Sequence, residues 1–413
     1  MKFSFVLFAL IAAVFVENGK VEAQVTPNYT YMTSLPFGAA AWGRLQHGSG
    51  TLYGTRFDIP GSVFSIDKNS YAYGTVHYFV VGDGTRPFAG LAADHGSGAS
   101  SPFYGTTTSG GLYGYGMVFN VVPSPNSYSD LHDFAGGTDG SQPMAVLARQ
   151  STTNYGTTYA GGTYGCGTFF SVDDVVSNPP TYHNLYAFGA SGPNDGCGST
   201  TQLQADTLNQ IFYWIGATTG GGSHNKGTVF ALQVSGTIWS DCVIYNFTGG
   251  TDGSSPVDLD VDADGNIYGV AQYDGVNNHG VVFELIPPNS SPCSNPWTYR
   301  LLNDFSLSND GMQPNGIRYY RTTQKLYGTT WGGGANNLGT VFELTAPPGL
   351  GKGTETIYHS FSGGTTDGAN PPSRPLLDEK CGIIYGTTIN GGATSSGGVY
   401  RVTGLCLVQN CMC

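Results

Sequence analysis

The chain has 413 residues, 63 of them glycine; 13% are aromatic, only 11% are charged, and the formal net charge is −12. So few charges and so many aromatics exclude a disordered, charge-rich chain, and so much glycine argues against an ordinary helical enzyme. Sixteen basic residues scattered along an acidic chain form no cationic face, which excludes a nucleic-acid backbone as a partner.

Residues 1–23 read as a secretory signal peptide. Lys2 precedes an apolar run from Phe3 to Val16, and Val21 and Ala23 stand as the small residues ahead of a cleavage point at Gln24. That run is too short to span a bilayer, and no later run is long and apolar enough. The expected product is therefore secreted and extracellular, with no membrane span. All eight cysteines lie in the mature part, as an oxidising compartment favours. Sequons at Asn28, Asn246 and Asn289 are candidates for N-glycosylation.

The mature chain opens on "YTYMTSLPFG", which reads as a fourth strand detached from its unit: its Phe37-Gly38 matches Phe134, Phe188, Phe247, Phe305 and Phe361 in later segments. Seven units follow at a period of 51 to 60 residues. Each carries YGT or a near variant, starting at Tyr53, Tyr104, Tyr155, Ile215, Tyr268, Tyr327 and Tyr385. Each then carries Gly-x-(Val/Phe)-(Phe/Tyr), starting at Gly61, Gly116, Gly167, Gly227, Gly280, Gly339 and Gly397. In the third unit "PMAVLARQ", "NYGTTYA", "GTFFSVDD" and "YHNLYAF" read as four short strands, and no mature stretch has a 3.6-residue period. Six junctions between units carry Asp-Gly, a turn signal.

Four strands in a repeat of about 40 to 60 residues mark a β-propeller blade. The last unit ends at "GGVYRVTG" after three strands, so the N-terminal strand is expected to complete it and leave no free sheet edge. The predicted fold is all-β: a seven-bladed β-propeller of four-stranded blades over residues 24–404, closed by the N-terminal strand, with a Cys-containing tail at 405–413.

For chemistry there is no nucleophile elbow, H-E-x-x-H, P-loop or C-x-x-C pair, so no cofactor is expected and no catalytic residue is assigned. His77, His132 and His359 each stand two residues before a fourth-strand Phe and are expected on the outer surface of separate blades. In "DVDADGNIYG", Asp260, Asp262 and Asp264 alternate like a calcium loop. This is a weak metal candidate, because Ala271 stands where the bidentate Glu should be. The other reading is a tight hairpin turn at Asp-Gly-Asn.

The sharper candidate is a whole face. Fourth-to-first and second-to-third connections emerge on one side of a propeller, gathering Asp83, Asp139, Asp195, Asp252, Asp310 and Asp367 with Tyr113, Tyr115, Tyr159, Tyr164, Tyr273 and Trp331. Rings stack on apolar sugar faces and carboxylates accept hydroxyl protons, which makes this a candidate polysaccharide-binding face. Against it, Asp before Gly commonly caps its own turn.

Cys166 and Cys197 fall on that face in neighbouring connections and are expected to pair. Cys242 and Cys293 both precede fourth strands of adjacent units and form a second pair; Cys381 with Cys406 would pin the tail. Cys411 and Cys413 remain. A bridge between them would close a small, strained ring, whereas bonding to a neighbouring chain would make the tail a self-assembly device.

The stretches "LYGTTWGGGANNLGTVFELT" and "YHSFSGGTTDGANP" resemble the GloVer repeat, known from tandem arrays in bacterial surface and secreted proteins. The resemblance covers nearly the whole mature chain and is loosest in the first unit, where "LYGTRFDIPGSVFSID" lacks the Gly-Gly. It implies a propeller-like fold and an extracellular setting, and it brings no catalytic residues. Three functions stay open. The leading one is a secreted, non-catalytic structural or adhesive protein of a surface layer, filament or matrix. The others are a secreted polysaccharide-binding module, and a glycoside hydrolase or lyase with carboxylates near the axis. Two carboxylates about 5–9 Å apart in a closed pocket would favour the last.

Overall fold

The two recurring motifs are the two halves of one contact. In every unit the YGT glycine lies directly across from the aromatic residue of the next strand: Gly54 from Phe64, Gly105 from Phe119, Gly156 from Phe170, Gly216 from Phe230, Gly269 from Phe283, Gly328 from Phe342 and Gly386 from Tyr400. The ring folds over the glycine and leaves no room for a side chain: a Cβ on Gly269 would stand 2.3 Å from Phe283 Cζ. The glycine that opens the second motif answers a backbone demand. Gly167 has φ +95°, and a Cβ there would meet the Thr158 carbonyl oxygen at 2.1 Å.

Gly269→Val is therefore expected to destabilise the protein by about 3 kcal/mol through overpacking. A urea titration checks it against Gly351→Ala, whose Cβ would have ordinary contact at 3.6 Å and which should leave the midpoint unchanged.

The computed structural model describes residues 27–405 except 37, 39, 81, 94–99, 175–179, 193, 209–210, 236–237, 289–291, 294–295, 308–309, 348 and 350, together with 16–17 and 20–21. The chain is an all-β propeller of seven antiparallel four-stranded blades in a ring. Blade 1 comprises Gln46–His47, Thr51–Arg56, Ser62–Asp67 and Tyr73–Tyr78. Blade 2 comprises Ala92–Ala93, Phe103–Thr107, Met117–Pro123 and Asn126–Asp133. Blade 3 comprises Ala148–Gln150, Thr153–Thr157, Thr168–Asp173 and Thr181–Ala187. Blade 4 comprises Gln204–Leu208, Ile211–Gly221, Thr228–Ser235 and Ile238–Asn246, with Gly196–Ser199 added against its second strand. Blade 5 comprises Ser254–Val261, Ile267–Tyr273, Val281–Ile286 and Thr298–Asp304. Blade 6 comprises Met312–Tyr320, Lys325–Gly332, Thr340–Thr345 and Thr354–Ser360. Blade 7 joins Leu376–Asp378, Ile383–Thr388 and Gly398–Thr403 to the N-terminal Asn28–Ser34. The only helical turn among the described residues is a short 3-10 segment, Gly137–Asp139.

Blades pack through their fourth strands. Phe79, Phe134, Phe188, Phe247, Phe305 and Phe361 each meet the motif aromatic of the next blade edge-to-face, with centroids 5.0 to 5.5 Å apart. Such pairs add about 0.5–1.5 kcal/mol each beyond the area they bury. The closing strand departs from expectation. Leu35 N donates to Gly397 O at 3.0 Å, as Phe134 N does to Gly116 O and Phe361 N to Gly339 O. Leu35, fully buried against the blade 1 core with Phe64, thus holds the place expected of Phe37, which lies outside the described residues. Pro36 follows at once, and with no N–H it cannot extend the ladder.

The three histidines are not outer-surface residues. Their side chains are only 17–18% exposed, and each Nε2 meets an Asp of the following junction: His77 with Asp83, His132 with Asp139 and His359 with Asp367, at 3.0 to 3.2 Å. Each imidazole lies flat on a tyrosine of the next blade, Tyr128 at 4.0 Å, Tyr182 at 3.7 Å and Tyr29 at 3.4 Å between centroids. The neighbour's ring covers what the strand alternation alone would leave outside.

Disulfides join Cys166 to Cys197 and Cys242 to Cys293, as expected. Cys242 lies within the strand Ile238–Asn246 rather than ahead of it. Cys381 is disulfide-bonded; its expected partner Cys406 lies outside the described residues, as do Cys411, Cys413, Asn289 and most of residues 1–23. Asn28 is exposed, while Asn246 is partly buried and its Oδ1 accepts from Ser223 N at 2.9 Å.

Candidate functional site

Seven residues, one per blade, stand two positions ahead of the residue that pairs with the YGT position: Arg44, Gly90, Val146, Gln202, Asp258, Gly316 and Arg374. All but Gly316 line a single axial cavity of about 650 Å³. Gly316 is displaced from the lining because Arg374 lies across it, and a Cβ there would stand 2.2 Å from Arg374 Cα. Gly90 makes the same room for the other arginine, with Arg44 Cγ 2.7 Å from where its Cβ would be.

The two arginines differ sharply in their surroundings. Arg374 grips Asp258 with both ends of its fork, Nε to Oδ2 at 2.9 Å and Nη2 to Oδ1 at 3.0 Å, and also donates to the Leu259 carbonyl. Asp258 in turn accepts from Ile317 N at 2.9 Å. Burial works against the charge of Arg374, and the carboxylates of Asp258 and Asp260 more than offset it. Arg44 has no hydrogen bond or ion pair among the described residues, and its Nε is buried. Burial, then the like charges of Arg374 and Arg318, push its pKa down to about 9.

Aromatic rings crowd the cavity on the side of the Asp-Gly turns. Trp42 lies between Phe88 and Trp331, each 5.6 Å away between centroids, and Phe57 closes the group at 5.9 Å. Tyr159 and Tyr273 line the same cavity with 38% and 45% of their surface exposed. Tyr159, Tyr273 and Trp331 are therefore brought together. Tyr113, 56% exposed, Tyr115 and Tyr164 stand away from the cavity.

The six Asp residues of the junctions are turned to another task. Asp83, Asp139, Asp195, Asp252, Asp310 and Asp367 each accept the backbone N–H of the residue after the fourth-strand Phe: Val80, Ala135, Gly189, Thr248, Ser306 and Ser362. None lines the cavity. For Asp367, burial opposes ionisation, but hydrogen bonds from His359 and Tyr29 outweigh it and hold the carboxyl down at about 2.

The calcium-like loop is a hairpin turn. Asp262 Oδ1 accepts from Asp264 N at 2.9 Å and Asn266 N at 3.0 Å, and Asp260 binds Tyr319 N at 2.8 Å and Arg318 at 3.2 Å. Among the described residues no three His, Cys, Asp or Glu side chains are grouped to hold a metal ion.

Arg44, Trp42, Phe88, Asp258 and Arg374 went unread in the sequence. Superposing the seven units on YGT and asking which inner-strand position is charged would have found the two arginines and Asp258.

The family model of the Gloeobacter/Verrucomicrobia repeat matches residues 40–215 and again 194–400. Among solved structures, the extracellular domain of BT3049 from B. thetaiotaomicron is similar in fold, with a TM-score of 0.53 over 91% of this chain and 9% identity. This chain spans 41% of that one's length. The β-propeller domain of Myceliophteria thermophila Cps50 (Swd1) superposes over 88% of this chain and 99% of its own, with a TM-score of 0.49 and 9% identity. Among the curated proteins none matches in sequence.

Proposed function

The chain belongs to the Gloeobacter/Verrucomicrobia repeat family, and from that premise we propose a non-catalytic extracellular adhesive protein whose rigid ring presents one carbohydrate-binding cavity on its axis. The observation that carries this reading is the cluster of Trp42, Trp331 and Phe88 over a cavity of about 650 Å³, with Tyr159 and Tyr273 half-open beside it. That volume falls in the usual range for small-ligand sites, about 300–1,000 Å³. Indole and phenol rings on a wet face offer apolar platforms for sugar faces together with polar edges for hydroxyls.

A binding role is favoured over hydrolysis by the carboxylates. Asp258 is the one carboxylate among the described lining residues, and it is held by Arg374 and Ile317 N. Glycoside hydrolysis ordinarily uses two carboxylates, one of them free to carry a proton. Two disulfides and the signal-peptide reading of residues 1–23 support export. No helix among the described residues is long and apolar enough to cross a membrane.

A glycan array followed by affinity electrophoresis tests the proposal. Retention on at least one polysaccharide is expected, and Trp331→Ala is expected to weaken it about tenfold or more, the loss of one well-packed aromatic contact. A blank array, or binding indifferent to both Trp42→Ala and Trp331→Ala, would remove the cavity from consideration.

A further inference from the structure

Arg44 poses an unanswered question of charge. A guanidinium is a fork of donors that stays protonated, and it normally meets a carboxylate, a phosphate or several carbonyls when it leaves bulk water. Here Gly90 leaves open the lane along which the side chain runs, yet no acceptor among the described residues receives it. Arg374 and Arg318 oppose its charge more than Asp258 and Asp260 favour it, and those two carboxylates are already bound to the other arginines. A second lining group shares the condition: Thr200 Oγ1 is buried without a partner. Three other polar side chains of the lining have partners. Gln202 donates to Leu147 O at 3.1 Å, Gln272 to Asn315 at 2.7 Å, and Asn315 to Pro371 O at 2.9 Å.

A chain with net charge −12 thus holds a cation without a protein acceptor in a half-open axial hollow beside a stack of aromatic rings. A guanidinium with no protein acceptor gains by pairing with an anion, and a pair partly withdrawn from water is stronger than one at the open surface.

We propose that the axial cavity takes an acidic saccharide unit, its anionic group, carboxylate or sulfate, paired with the Arg44 guanidinium and its ring against Trp42 and Trp331. The proposal deepens the carbohydrate-binding reading and rests on it. Carboxylate would meet the planar fork in two parallel hydrogen bonds, and a sulfate ester offers the same pair of oxygens. The selection is against neutral sugars, which leave the guanidinium unpaired, so discrimination comes chiefly from what the wrong ligand fails to satisfy.

The test uses matched pairs on the protein carrying residues 24–413, followed by tryptophan fluorescence or calorimetry. Oligogalacturonate is compared with its methyl ester, and carrageenan oligosaccharides with neutral agaro-oligosaccharides. In at least one pair the acid is expected to bind ten times or more tighter than its neutral counterpart, and the responding pair identifies the anion. Arg44→Gln should bring that ratio to about one. Trp331→Ala should weaken both members alike. Equal binding of acid and neutral forms in both pairs, or a ratio that survives Arg44→Gln, overturns the anion assignment while leaving carbohydrate binding intact. Failure of all four probes together with a blank glycan array overturns both.

A ligand-free measurement separates a binding role from a structural one. Without ligand, Arg44→Gln should melt at or slightly above the parent temperature, because an unpaired charge is relieved. A fall of several degrees would show that the fold itself uses the guanidinium, and would also reject the assignment.

Discussion

Deleting residues 28–35 is expected to destroy cooperative folding of the whole ring, not only the order of one edge. Those residues pair with Gly398–Thr403 along the full strand. They also bury Leu35 and Met32 in the core shared with blade 1, and they seat Tyr29 between His359 and Tyr400 of blades 6 and 7. Losing the buried Leu35 and Met32 at about 2–5 kcal/mol each, with the partly buried Tyr29 and the whole strand ladder besides, approaches the net stability of a typical domain, about 5–15 kcal/mol. Hydrogen exchange should lose protection in Gly398–Thr403 first, and thermal unfolding should broaden and shift down by tens of degrees. A circular permutant that carries 28–35 after residue 413 through a flexible linker keeps both the pairing with Gly398–Thr403 and the bonded Cys381, and should recover most of the lost melting temperature. A truncated protein that melts within a few degrees of the intact one would refute closure by this strand.

The next largest effect is a dependence on pH at the seam between blades 5 and 6. Glu355 stands six residues before the fourth-strand Phe, where blades 2, 3 and 5 have Tyr128, Tyr182 and Tyr299. Its Oε2 accepts from Asn303 Nδ2 at 3.3 Å, and its Oε1 is buried without a partner. Burial first, then the carboxylate of Asp310, raise its pKa from 4.5 to about 8. A carboxyl raised on folding opposes folding once it must ionise. Its penalty is absent below pH 4.5, grows as pH climbs, and is complete above about 8.

Glu355→Gln removes the titrating group and keeps the shape, so it should stabilise the protein at pH 8.5 by on the order of 2–4 kcal/mol and do nothing at pH 4. Asp241 repeats the arrangement between blades 3 and 4: burial and Asp195 raise its pKa well above the ordinary value, and Asp241→Asn should act in the same direction. Urea midpoints at the two pH values decide it; a gap equal at both, or one that shrinks toward alkaline pH, contradicts the assignment.

Most of the ring was legible because its signals are local and repeated. A glycine beneath a ring and a turn closed by Asp recur at nearly even spacing, and neither depends on anything outside its own blade or junction. The errors came where one blade completes another. Leu35 was passed over for Phe37 because the fourth-strand position asks for an apolar side chain at a register point, and the register is set by Gly397 and Tyr400 at the other end of the chain. The histidines looked external because strand alternation knows nothing of the next blade's tyrosine.

The axial site was harder still. Each unit contributes only a few residues to it, scattered along the sequence, and each of these has a plausible local reading as part of a strand end or a turn. Only the ring brings Arg44 near Arg374, or Trp42 onto Trp331. The reverse error has the same root. The junction aspartates look like ligands in sequence because carboxylate, glycine and aromatic ring alternate there, but their oxygens face the backbone N–H groups of their own turns.

The closing strand also dictates an order of events. Tyr29 and Asp367, joined by a hydrogen bond, are 338 residues apart, and Leu35 and Thr394 are 359 apart. The entropy of closing so long a loop rises only slowly with length, but contacts this distant form late. During synthesis the strand 28–34 is made first and waits unpaired until the last blade exists, while six blades can assemble behind it. Through that interval the strand and the open edge of Gly398–Thr403 are both available for pairing, as any exposed edges are. They are complementary whether or not they belong to the same molecule. At high local concentration the first strand of one chain competes for the last blade of another, so the contact that seals a single ring is also the one by which two rings can interlock.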